Sequence, residues 1–212
     1  MRYIIMCGSS YKPERHLSQI NGETLLDRTV RLLIENGVDK QDIRLTPSTE
    51  VRDILMKSKL PAAIIMFNNH KNSLWTDCFY SQMQPCTYLF GDVVFSPEAI
   101  RTIINTPTDD IEFFASAPPF DSRYPKKWAE PFAFKVVNQE HFEQALQEFK
   151  GLHREKKFRR YPIAWELWQV IKHTPLNQID YTNYTVINDY TCDVDEIEDI
   201  YKFEGGDIWH TI

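Results

Sequence analysis

The chain has 212 residues, 42% of them hydrophobic and 25% charged, which suits one α/β domain with a sizeable buried core. A net charge of −6 argues against a nucleic-acid-binding face, which needs concentrated Lys and Arg. No signal-peptide pattern or long apolar span is present, and the four cysteines (Cys7, Cys78, Cys86, Cys192) lack zinc or C-x-x-C spacing, so the expectation is a cytoplasmic protein with reduced thiols and no membrane partner.

The apolar, β-branched run Tyr3-Ile4-Ile5-Met6 reads as a buried strand. Turn residues follow at Cys7-Gly8-Ser9-Ser10, with Lys12, Pro13 and Arg15 close behind. After Asn21-Gly22 the apolar residues Leu25, Leu26, Val30, Leu33 and Ile34 recur at helical spacing, predicting a helix over 23–35 that stops at Asn36-Gly37. A strand at 42–46 and a short amphipathic helix through Val51, Ile54 and Leu55 come next. The stretch 61–67 is apolar throughout, as expected of a central strand covered on both faces. The loop from Asn68 to Ser73 leads into a predicted helix over 74–83, then a strand over 86–90 ends in Gly91-Asp92. Ser96-Pro97-Glu98 has the residues of a helix start: an N-cap, a proline at the first position and an acid near the positive end.

The second half predicts strands at 111–116 and 131–137, a helix over 139–150, an aromatic helix over 163–171 and a late strand at Val186-Ile187. A Pro-rich aromatic stretch over 117–127 reads as a loop over the pocket. The basic run from His153 to Arg160 reads as a solvated helix end in preference to an anion site. Regular alternation of strands and helices predicts an α/β fold: a single domain over 1–212 with a mostly parallel, three-layer α/β/α sheet. Ligands in such sheets sit beyond the C-terminal strand ends, so the loops after Met6, Phe67 and Phe90 are expected to share one pocket.

Several groups there have two readings each. A strand, a small-residue loop with cations and then a helix is the arrangement that holds phosphates, and it is equally an ordinary strand-to-helix connection. In the first case Cys7, Gly8, Ser9 and Lys12 contact the phosphates. Asp92, after an apolar strand and a glycine, is either a post for Mg²⁺ or the cap of a turn. Asp193 and Asp195 point the same way on an extended segment, and Asp195 also suits the N-cap of a helix over 196–203. The amides of Asn68 and Asn69, with Ser73, suit the reading of a base. Trp165 and Trp168 share a helix face and are pocket or core. No histidine is assigned a catalytic role.

The run Pro13-Glu14-Arg15-His16-Leu17-Ser18-Gln19-Ile20-Asn21-Gly22-Glu23-Thr24-Leu25-Leu26-Asp27-Arg28 resembles the opening signature of MobA-like nucleotidyltransferases, the group that includes sugar-1-phosphate transferases and cytidylyltransferases. Gly91-Asp92 and Asp195-Glu196-Ile197-Glu198-Asp199 resemble two further marks of that family, in the right order and spanning the chain. The chain departs from the pattern in its short Gly8-Ser9-Ser10 loop and in having Arg15 where most members have Lys. The resemblance implies the nucleotide-diphospho-sugar transferase fold, a Rossmann-like sheet, and transfer of a nucleoside monophosphate from a triphosphate to a phosphorylated acceptor with release of pyrophosphate. It implies Arg15, Asp92 and Asp195 as catalytic, with both aspartates on one Mg²⁺, and acceptor-binding groups around Glu130, with Lys135, Trp165 and Glu166 as candidates. CTP is the first choice of nucleotide, and surface polysaccharide a destination for the product. The rival readings are a glycosyltransferase of related fold and a nucleotide- or sugar-binding module without catalysis.

Overall fold

The computed structural model describes residues 1–8, 13–55, 64–65, 75–79, 83–118, 129–196, 199–200 and 203. Strand β1 (Arg2–Cys7) sends Tyr3, Ile5 and Cys7 into one core and Ile4 and Met6 into another, as the two-residue period of a strand requires. A 3-10 turn over Pro13–Leu17 follows. Asn21 and Gly22 both take positive φ and close a tight hairpin between β2 (Gln19–Ile20) and β3 (Glu23–Thr24). That hairpin shifts the first helix: α1 (Leu25–Glu35) starts at Leu25 instead of Glu23, with Thr24 as N-cap accepting from the Asp27 amide at 3.0 Å. It ends as expected, Gly37 adopting φ +85°. Next come β4 (Ile43–Pro47), α2 (Thr49–Leu55) and a short β5 (Ile64–Ile65).

The helix expected over 74–83 is replaced, among the described residues, by a 3-10 turn at Trp75–Cys78 and a bend at Met83. Strand β6 (Cys86–Phe90) and the brief β7 (Val93–Val94) lead to α3 (Pro97–Asn105), capped by Ser96 with Pro97 in its first turn. The chain continues through β8 (Ile111–Ser116), β9 (Pro131–Val136) and α4 (Gln139–Arg154). It then forms α5 (Ala164–Ile171), β10 (Thr185–Ile187) and β11 (Cys192–Asp193). Helix α4 runs past Lys150 because Leu152 still packs on the core beneath it. Asp199, Ile200 and Phe203 are helical, in line with the expected C-terminal helix.

The main sheet has the order β10-β8-β9-β6-β1-β4-β5, and every strand but β9 runs in one direction. Helices α1, α2 and α3 pack on the face of Ile5 and Leu45, and α4 and α5 on the face of Ile4 and Tyr88. The result is the three-layer α/β/α arrangement, with β6 in the middle of the strand order and β1 beside it. Of the stretch over 61–67, expected as a central strand, the described residues Ile64 and Ile65 form β5, which among the described residues is last in the sheet and pairs with β4. An unbroken apolar run reports coverage by other elements, not place in the strand order. Among the described residues, no helix is long and apolar enough to cross a membrane. All four cysteines are free, and three of them are buried.

From β1 the chain winds outward through β4 to β5, then returns to place β6 on the other side of β1. The crevice where the order reverses lies at the C-terminal ends of β1 and β6. Strand β9 runs the opposite way, so its first residues, with Glu130 just before them, fall at that same edge.

Candidate active site

Glycine at position 91 makes the site. Its amide donates to the Met6 carbonyl at 2.8 Å, so the chain hugs the end of β1, and a Cβ there would meet that oxygen at 2.7 Å and Cys7 Sγ at 2.8 Å. This close approach carries Asp92 over the strand edge. The β7–β11 pairing, Asp193 opposite Val93, then brings the C-terminal acids alongside, and the Val194 amide donates to the Asp92 carbonyl at 2.8 Å. The Asp193 amide in turn donates to Glu130 Oε2 at 3.2 Å. Four carboxylates from three distant segments thus line one cavity of about 570 Å³, together with Gly8, Arg15, His16, Trp75, Phe90, Arg160 and Tyr161.

Arg15 compensates these acids. Its guanidinium forms an ion pair with Asp92 and a longer one, at 3.6 Å, with Asp195 Oδ1. Its Nε is buried with no hydrogen-bond partner. Burial, and then the neighbouring Asp193, raise the Asp195 pKa above the ordinary carboxylate value; Asp92 and Asp199 add to this while Arg15 opposes it. His16 is 1% exposed, and neither ring nitrogen makes a hydrogen bond of good geometry. Burial is the main cause holding its imidazole below the usual pKa, against the upward pull of Asp92 and the Gly91 backbone.

Among the described residues no three ligating side chains are grouped closely enough to hold a metal on their own. Asp92 and Asp195 are hard oxygen donors gathered on one cation, and magnesium takes few protein carboxylates and completes its shell with phosphate and water. The pair therefore suits an ion that arrives with its phosphate ligands.

Neither a protein-family model nor a curated protein matches the chain by sequence. Solved structures do match. The 4-diphosphocytidyl-2C-methyl-D-erythritol synthase of Anaerococcus prevotii DSM 20548 superposes with a TM-score of 0.58 at 13% identity, over 96% of this chain and 93% of that one. The CTP:phosphocholine cytidylyltransferase LicC of Streptococcus pneumoniae gives 0.53 at 12% identity, over 96% and 97%. Rv0371c of Mycobacterium tuberculosis H37Rv, in a complex with manganese, gives 0.55 at 14% identity, over 96% of each chain. The fold is the one these structures share.

Within this fold the expected site residues divide. Arg15, Asp92, Asp195, Gly8 and Glu130 line the cavity; Ser9, Lys12, Asn68, Asn69 and Ser73 lie outside the described residues, as does most of the stretch over 117–127. Cys7 is at the right edge, but its thiol points into the core, where burial pushes its pKa well up. Lys135 does not reach the cavity lining: its ammonium donates to the carbonyls of Ile104 (2.9 Å) and Thr106 (2.6 Å) at the end of α3. Trp165 is fully buried, stacks edge-on against Phe113 and donates its Nε1 to the Ala129 carbonyl at 2.7 Å, so it is core. Glu166 is also withdrawn, its Oε2 accepting from the Ile163 amide at 2.9 Å as the start of α5 forms.

The lining residues that the sequence reading missed include His16, Trp75, Arg160 and Tyr161. His16 sits inside the opening signature, and no periodicity marks it. Trp75 crosses the cavity edge to donate to the Pro162 carbonyl at 2.9 Å. Arg160 closes the basic run that reads as solvated, and Tyr161 follows it; the overlooked signal is Glu166, placed to cap α5 and to hold a cation before it. Arg28, in the opening signature, is a tie rather than a site residue, donating to the Phe95 carbonyl at 3.2 Å and to the Tyr190 hydroxyl at 3.3 Å.

Proposed function

We propose that the chain is a magnesium-dependent cytidylyltransferase that moves CMP from CTP to a phosphate-bearing acceptor. The observation that carries this reading is the convergence of Asp92 and Asp195 on Arg15 at the strand-order switch point. The fold supports it, since the solved structures of that shape include a diphosphocytidyl synthase and a CTP:phosphocholine cytidylyltransferase. A phosphate oxygen of the acceptor attacks the α-phosphorus, the bond to the β-phosphate oxygen breaks, and pyrophosphate leaves. The nucleophile is already anionic, so no general base is needed; this fits a neutral, buried His16. Arg15 neutralises the leaving pyrophosphate, and its unpartnered Nε is a donor that a phosphate oxygen can take up. Bound magnesium supplies charge stabilisation and orients the phosphates; Asp92 and Asp195 are the residues that hold it. Reduced thiols and nucleoside triphosphates both fit a cytoplasmic setting.

A second reading, glycosyl transfer from a nucleotide-sugar, is favoured by one observation: Asp193 and Asp195 form a D-x-D lying at the cavity. The two differ in what they release. Purified protein is incubated with Mg²⁺, each of the four common triphosphates and a panel of phosphorylated sugars and alcohols, and pyrophosphate is measured. Release that requires both substrates and is fastest with CTP is the expected result. Release of a nucleoside diphosphate from nucleotide-sugars, with no pyrophosphate from any pair, would favour glycosyl transfer instead.

A further inference from the structure

We infer that Arg160 receives the phosphate of the acceptor and that Glu166 is its positioning residue; this rests on the reading above that the acceptor carries a phosphate. The first argument is charge. The described residues that line the cavity include four carboxylates (Asp92, Glu130, Asp193, Asp195) and two arginines. Arg15 is committed to Asp92 and Asp195, so a dianionic phosphate entering beside those acids meets net repulsion unless a second cation faces it. Among the described residues that line the cavity, Arg160 is the cation left for it.

The second argument is geometry. Glu166 is buried and fixed by its bond from the Ile163 amide, and its other oxygen accepts from Arg160 Nε at 2.7 Å. The guanidinium plane is therefore held from its Nε side. Its two terminal nitrogens have no recorded partner among the described residues, while the side chain is 44% exposed. Two parallel donors on a planar group of fixed orientation match two oxygens of a phosphate. At this exposure the ion pair by itself adds little to stability.

The third argument is the company Arg160 keeps. Directly after it in the chain, Tyr161, Ile163 and Ala164 also line the cavity, apolar surface suited to the carbon skeleton next to a phosphate. Arg160 thus assigns a phosphomonoester end to this side of the cavity, with Arg15 and the aspartates left for the triphosphate.

The test is calorimetric titration of the full chain with glycerol 3-phosphate and glucose 1-phosphate, each against its parent alcohol or sugar. Every titration is run with and without Mg²⁺ and the α,β-methylene analogue of CTP, so that the Arg15 end is filled in one arm. The esters should bind and their parents should not. R160Q should weaken ester binding by roughly 10- to 100-fold, the range for losing a charge-assisted bidentate contact, and R160K by a smaller factor. Affinity for the CTP analogue should change by less than about twofold. E166Q should weaken the ester by an intermediate factor in the wild-type background and by nothing further in R160Q, since it acts through the arginine. Matching melting temperatures for R160K and the wild type keep the comparison valid if R160Q is unstable. Equal affinity for ester and parent, no ester binding by the wild type, or wild-type affinity in both Arg160 variants overturns the inference. A wild-type chain that binds esters through Arg160 but no triphosphate instead overturns the cytidylyltransferase reading alone.

Discussion

Lys135→Met separates a structural cation from an acceptor ligand. The ammonium of Lys135 sits on a residue 5% exposed and donates to two carbonyls at the end of α3, at 2.9 and 2.6 Å. Methionine keeps the length of the stem and removes the donors. A hydrogen bond to a charged group contributes about 1.5–3 kcal/mol, and two bonds to one ammonium are not independent. Part of the loss is offset, because burial lowers the Lys135 pKa and so already opposes its charge. Ile104 and Thr106 are themselves half-buried, so water regains access to their carbonyls once the ammonium is gone. A net destabilisation of about 2 kcal/mol follows, which for a chain of this size is a fall of roughly 4–8 °C in Tm. The assay pairs a thermal melt followed by circular dichroism with steady-state pyrophosphate release at 25 °C, where the variant is still folded. The melt should shift and the acceptor KM should not. An unchanged Tm with a raised acceptor KM would return Lys135 to the acceptor site and refute the placement of its ammonium.

Asp92→Asn and Asp195→Asn should each abolish metal-dependent turnover, and the double variant should be little worse than either, because both act on one ion; full activity in either single variant counts against the shared site. His16 has a folded-state pKa below its unfolded value, so its contribution to stability is full above about pH 6.5 and is lost as the pH falls through the folded pKa. His16→Gln should therefore flatten the loss of stability between pH 7 and acid, measured by urea unfolding at each pH, and an identical slope in both proteins would remove His16 as its cause. Gly8→Ala places a Cβ 2.0 Å from Cys78 Sγ, whereas Cys78 Cβ would be 3.2 Å away. The single change should cost about 1–3 kcal/mol, and adding Cys78→Ala should recover much of it; simple additivity of the two changes would show that the thiol is not the obstacle.

What the sequence by itself determined is the set of features that neighbours in the chain decide. The strand at Tyr3–Met6, the stop at Asn36-Gly37, the Ser96-Pro97 start of α3 and the strand ending at Gly91-Asp92 depend on side chains and backbone preferences within a few residues, and the structure keeps them. Local pattern misjudged the start of α1, because the φ > 0 pair Asn21-Gly22 favours a hairpin as much as a helix entry, and it misjudged β5, because apolar character does not encode strand order. That Arg15, Asp92, Asp195 and Glu130 lie around one cavity was legible; the work of their neighbours was not. Lys135, Trp165 and Glu166 lie on elements of the right region, and the pleat of β9 and the rotation of α5 turn them inward, to a helix end, to the core and to a cap. Arg160 lines the cavity because the α4–α5 connection carries residues 160, 161, 163 and 164 to it, while the buried Glu166 holds its Nε. Pairings of that kind are settled by which surfaces meet when the layers pack, and the spacing of residues along the chain carries no record of them.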